Sequence, residues 1–92
     1  MTELAPRRLL IVNEKGLHAR ASAKFVEVVE DHEARAEVSK DGMTVSGDSI
    51  MGLLMLAASR GTSIEVQTSG PEAEKLANAL QALVAARFGE DY

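Results

Sequence analysis

The run Lys15-Gly16-Leu17-His18-Ala19-Arg20 sets one imidazole between the end of an apolar, strand-like segment and the start of a helical one. The first turn of a helix has backbone N–H groups without intrahelical partners and carries a partial positive charge, and both attract an anion. A phosphoryl group on His18 could be held by the backbone N–H groups of Ala19 and Arg20, with the Arg20 guanidinium sharing its charge. Free imidazole has a pKa of about 6.5, so the neutral ring is available as a nucleophile near pH 7. A phosphoramidate also leaves readily, which suits a relay and not a permanent mark. The constellation fits a transient phosphohistidine. Gly16 permits the tight turn into the helix, whereas Lys15 either adds positive field or is simply solvated. Taken alone, a histidine before a helix is most often a cap or a surface residue, so the surrounding elements have to decide. His32, among Glu30, Asp31 and Glu33 at a helix end, reads as solvated.

Strand and helix patterns alternate at short intervals, with no linker or low-complexity stretch between them. Residues 9–12 are continuously apolar and read as a first strand, closed by Asn13 and Gly16. From Ala19 to about Asp31, Phe25, Val26 and Val29 form an apolar stripe, opposite Arg20, Lys24, Glu27 and Asp31. Residues 36–40 and 43–46 flank Asp41-Gly42, a pair that accepts the positive φ angles of a type I′ turn. The hairpin so formed points Val38 and Val45 at the core. Asp48 or Ser49 caps a short apolar helix over 50–58, ended by Gly61. Ile64 and Val66 alternate with Ser63, Glu65 and Gln67 in a fourth strand. A last helix opens at Pro71 with Glu72 and Glu74 in its first turn. Its stripe is Ala73, Leu76, Ala77, Leu80, Leu83 and Val84, and Arg87 with Gly89 ends it. The order βαββαβα predicts an α+β sandwich, helices on one sheet face, the sheet antiparallel at least in part.

The short helix carries two apolar stripes. Leu53, Leu56 and Ala57 can face the core, yet Ile50, Met51, Leu54 and Met55 line another side. Methionine adapts to a partner's shape, and exposed apolar patches mark docking sites. Burial of the whole helix between sheet and neighbours explains the pattern equally well.

Composition narrows the function classes. A chain of 92 residues reads as one domain, residues 1–92, with room for a single two-layer core. Hydrophobic residues make up 46% and charged residues 26%, as in ordinary globular proteins. A net charge of -4 lacks the footprint of a nucleic-acid binder, and three aromatics, Phe25, Phe88 and Tyr92, make no base-stacking platform. Cysteine is absent, which excludes disulfides and thiolate metal sites and fits a reducing cytoplasm. Residues 1–8 lack an apolar signal core, and no run approaches the length of a membrane span. No cofactor or metal is expected.

Gly16-Leu17-His18-Ala19-Arg20, followed by Phe25 and Val26, together with Ser49-Ile50-Met51-Gly52-Leu53, resembles HPr, the histidine-containing phosphocarrier family of the bacterial phosphoenolpyruvate-dependent phosphotransferase system. Length and element order agree over essentially the whole chain. The resemblance implies an open-faced βαββαβα sandwich with a four-stranded sheet in order 1-4-2-3. It implies that enzyme I, phosphorylated by phosphoenolpyruvate, passes a phosphoryl group to Nδ1 of His18, and that His18 hands it to an enzyme IIA protein or domain. The pathway would be sugar transport or nitrogen and carbon regulation. It also implies that Ser49 is a substrate for a dedicated HPr kinase/phosphorylase, and that the protein is a cytoplasmic monomer with no direct membrane insertion.

Two positions depart from the family pattern. Many members have proline where Ala21 stands, which alters helix initiation more than chemistry. Relatives often have lysine where Asp48 stands, and an acidic neighbour opposes a second negative charge on Ser49. An enzyme with its own substrate is disfavoured, because no second titratable group is placed by sequence beside His18. In the carrier, Ile50, Met51 and Leu54 would form the docking surface around His18; the alternative is an interaction module that uses the Ile50 and Met51 patch and is never phosphorylated at histidine.

Overall fold

The computed structural model describes residues 5–92; within the N-terminal stretch read above as lacking a signal core, residues 1–4 lie outside the described residues. Four strands, β1 (Arg7–Leu10), β2 (Arg35–Lys40), β3 (Met43–Ser46) and β4 (Ser63–Ser69), form one sheet in the order β1-β4-β2-β3. All three pairings are antiparallel. Three helices, α1 (Ala19–Glu30), α2 (Ile50–Met55) and α3 (Ala73–Ala85), and a final 3₁₀ turn (Arg87–Gly89) complete the chain. No helix among the described residues is long and apolar enough to cross a membrane.

The register follows from the period-2 alternation of a half-buried sheet. Val38 lies opposite both Val66 and Val45, and Leu9 lies opposite Ile64. Leu9, Val38, Ile64 and Val66 are buried under the helices, while Arg8, Glu37 and Glu65 between them are exposed. Val45 packs against this core as a partly buried residue. The α1 stripe Phe25, Val26 and Val29 is buried together with Ala21 and Ser22. Leu76, Leu80 and Val84 of α3 close the same core, and Leu83 packs at its margin. Asp41 and Gly42 take φ values of 52° and 84°, the left-handed conformation a type I′ turn needs.

Several boundaries differ from the sequence reading. The first strand lies two residues earlier than 9–12; Ile11 keeps one ladder bond, its N–H to the Thr62 carbonyl at 2.9 Å, before the chain turns at buried Asn13. Helix α2 stops at Met55 rather than residue 58, because Ala57 adopts φ 51° and directs the Ala58 carbonyl to the N–H of Leu17, 2.9 Å away. That reversal also exposes Ala57, which spacing had placed toward the core, and buries Ala58. Gly61 does not end the helix; its N–H bonds the Ile11 carbonyl at 2.8 Å at the entry to β4. Helix α3 begins at Ala73, with Pro71 in the turn before it, and ends before Arg87.

Candidate functional site

His18 is the N-cap of α1, in extended backbone conformation with φ -80° and ψ -176°. Its Nδ1 accepts the backbone N–H of Arg20 at 3.2 Å, satisfying one of the free donors of the first turn. A nitrogen that accepts cannot also carry the proton, so the hydrogen-bond partners assign the ring proton to Nε2. Nε2 in turn donates to Oε2 of Glu90 in a short contact. The two side chains are 25% and 16% exposed, so the ring is reachable from solvent yet held on both nitrogens.

The segment that carries His18 is fixed from below. Gly16 has φ +67°, and a Cβ there would lie 2.5 Å from the Ala58 carbonyl oxygen; only glycine fits both the conformation and the approach. The Leu17 N–H bonds the Ala58 carbonyl, tying the loop to the segment that follows α2. Asn13, fully buried, donates from Nδ2 to the Gly16 carbonyl at 2.8 Å and to Glu90 Oε1 at 3.1 Å. Burial alone would raise the Glu90 carboxyl. The hydrogen bonds from Asn13 and His18, with the charge of Lys15, outweigh it and hold the group below its ordinary value of 4.5.

Glu90 is the residue that sequence reading missed. It lies 72 positions from His18 and is brought there by the chain end. Phe88 is fully buried, Lys24 Nζ donates to its carbonyl at 2.7 Å, and the Glu14 N–H bonds the Tyr92 carbonyl at 3.1 Å. The available signal was Phe88 itself, an aromatic in an otherwise polar tail. Beside His18 the tail and α1 enclose a cleft of about 330 Å³ lined by Lys15, Arg20, Lys24 and Glu90 among others. Arg20 is exposed there.

The other candidate residues sit on α2. Ser49 is the N-cap, its Oγ accepting the Gly52 N–H at 3.0 Å, while Asp48 accepts the Ser46 hydroxyl at 2.6 Å; of the two cap candidates, Ser49 serves. Leu53 faces the core with no exposure, and Leu54 is half-buried. Ile50, Met51 and Met55 are 39%, 70% and 64% exposed, so the second stripe is not wedged into the interior. His32 is half-buried rather than solvated: its Nδ1 donates to the Val28 carbonyl at 2.7 Å, at the end of α1. Among the described residues no group of three or more His, Cys, Asp or Glu side chains could hold a metal ion.

A ring nitrogen with its lone pair at a helix start, a nearby arginine and an apolar patch on the neighbouring helix now stand on one antiparallel scaffold. The family described as PTS HPr component phosphorylation site matches residues 6–86. The chain belongs to the HPr phosphocarrier family of the phosphotransferase system. Phosphocarrier protein HPr of Cupriavidus necator is 43% identical over 84 residues, 91% of this chain and 94% of that one. Phosphocarrier protein NPr of Escherichia coli is 35% identical over 82 residues, 88% of this chain and 91% of that one. Among solved structures, HPr from Thermoanaerobacter tengcongensis superposes with a TM-score of 0.91 at 32% identity, covering 97% of this chain and 100% of that one. HPr from Bacillus anthracis does so with a TM-score of 0.83 at 38% identity, covering 87% and 95%.

Proposed function

We propose that this chain acts as a single-domain cytoplasmic phosphocarrier, accepting a phosphoryl group on Nδ1 of His18 from phosphorylated enzyme I and passing it to an enzyme IIA protein or domain. The observation that carries this reading is the presentation of a lone pair on Nδ1 at the start of α1, where backbone N–H groups favour an anion. When phosphorus bonds to Nδ1, the Arg20 N–H that Nδ1 now accepts is released to a phosphoryl oxygen. The Ala19 N–H stands beside it, and the Arg20 guanidinium shares the charge.

Ile50, Met51 and Leu54 form the docking patch in this reading. Helices α1 and α2 pack together, and the Leu17 bond to Ala58 joins the two segments, so a partner reaching His18 also meets the methionines. Ser49 is the regulatory position, open to an HPr kinase/phosphorylase. Its phosphate would add about two negative charges at the edge of a patch that must lose water on binding.

Incubation with enzyme I and labelled phosphoenolpyruvate tests the carrier reading. Acid-labile label is expected on the wild type and on His32→Ala, and none on His18→Ala. Label that persists in folded His18→Ala contradicts the assignment.

A further inference from the structure

The C-terminal tail is held in a costly conformation. Arg87 and Phe88 have φ values of 59° and 56°, consecutive non-glycine residues in the left-handed region, which persists only where surroundings over-determine it. Burial of Phe88, the Lys24 bond to its carbonyl and the Glu14 bond to Tyr92 supply that determination. A second cost lies at Asn13. Its amide spends both protons on Gly16 and Glu90, leaving Oδ1 buried without a partner among the described residues. Buried polar atoms are rarely left so. Both costs serve one result, a carboxylate against Nε2 of His18.

We infer that Glu90, aimed by Asn13, is a positioning residue for phosphotransfer: it keeps the His18 proton on Nε2, leaves Nδ1 as the attacking nitrogen, and balances the charge the ring gains on phosphorylation. This rests on the carrier reading. In the step, the Nδ1 lone pair forms the bond to phosphorus while the bond from phosphorus to the donor's leaving atom breaks, its electron pair going to the donor. No proton moves. The ring, now bonded at Nδ1 and protonated at Nε2, is cationic and faces the Glu90 carboxylate. When the acceptor attacks phosphorus, the Nδ1–phosphorus electron pair returns to the ring, and the neutral Nε2–H form is restored. The nitrogen that carries the proton is set by the bond the ring makes, so one carboxylate serves both directions of transfer.

The tautomer can be read on the unphosphorylated protein, by long-range ¹H–¹⁵N NMR of the ¹⁵N-labelled chain, independently of whether transfer occurs. Wild type is expected to show His18 protonated at Nε2 with Nδ1 unprotonated, and Glu90→Ala a mixture of the two tautomers. Glu90→Gln, whose amide oxygen can still accept, should keep the Nε2–H form. Transfer from phosphorylated enzyme I should fall at least about tenfold in both variants, in Gln through lost charge alone. Glu90→Asp should recover part of the rate, and the surface control Glu74→Ala should transfer as wild type. If Glu90→Ala melts early, the Gln and Asp variants still give both readings. An unchanged tautomer in Glu90→Ala, or transfer within twofold of wild type in folded Glu90→Ala or Glu90→Gln, overturns the proposal. Failure of wild type itself to be phosphorylated would instead contradict the carrier reading, whatever the tautomer.

Discussion

The two histidines of this chain sit at opposite ends of α1 and have opposite proton arrangements. Nδ1 of His18 accepts from Arg20, whereas Nδ1 of His32 donates to Val28; only at His18 is Nδ1 the nitrogen that carries the lone pair. Arg20 should matter through the charge it brings to the phosphoryl group. Arg20→Ala is expected to slow transfer by roughly tenfold or more while leaving the melting temperature unchanged, and Arg20→Lys to recover only part, lacking the planar fork. Stopped-flow transfer from phosphorylated enzyme I checks both; full-speed transfer by the alanine variant would mean the backbone N–H groups suffice. His18 and Arg20 were legible because cap and first-turn residue lie within one turn of chain. Glu90 was not, since its bond to Nε2 depends on how the whole tail returns across the fold.

At the scale of elements, the loop before α1 is as demanding as the histidine it carries. Gly16→Ala forces a left-handed alanine against the Ala58 carbonyl and should destabilise the protein by about 1–3 kcal/mol, with slower transfer because His18 is displaced; urea titration measures the first. For α2, Met51→Glu is expected to weaken binding to enzyme I without lowering the melting temperature, as befits a side chain 70% exposed. A variant that unfolds would return Met51 to the core. The hairpin was legible because Asp41-Gly42 names its own turn, α3 because its stripe runs for more than three turns, and α1 because Phe25, Val26 and Val29 keep helical spacing opposite a charged face. Helix α2 was overextended because Leu56, Ala57 and Ala58 continue its apolar composition. What stops it is a long-range bond, Ala58 to Leu17, that local spacing does not contain.

Across the whole molecule, the tail joins chain end to site, so stability and function share residues there. Phe88→Ala should cost about 3–5 kcal/mol, the range for emptying a buried aromatic site, and should release Glu90 from His18 as well; calorimetry and the His18 tautomer would report the two effects. Glu90 also links the fold to pH. Its carboxyl is held below its ordinary value of 4.5, so the stabilisation is fully present above that value and is lost as pH falls through the lower folded one. The stability advantage of wild type over Glu90→Gln should therefore shrink as pH falls below 4.5; a constant difference would mean that the folded carboxyl is not depressed. The most direct test of the carrier account is ³¹P–¹⁵N coupling in ¹⁵N-labelled protein phosphorylated by enzyme I and phosphoenolpyruvate. The account predicts one phosphorus, coupled to Nδ1 of His18, and lost when an enzyme IIA acceptor is added. Phosphorus on Nε2, on His32 or on a serine would contradict it.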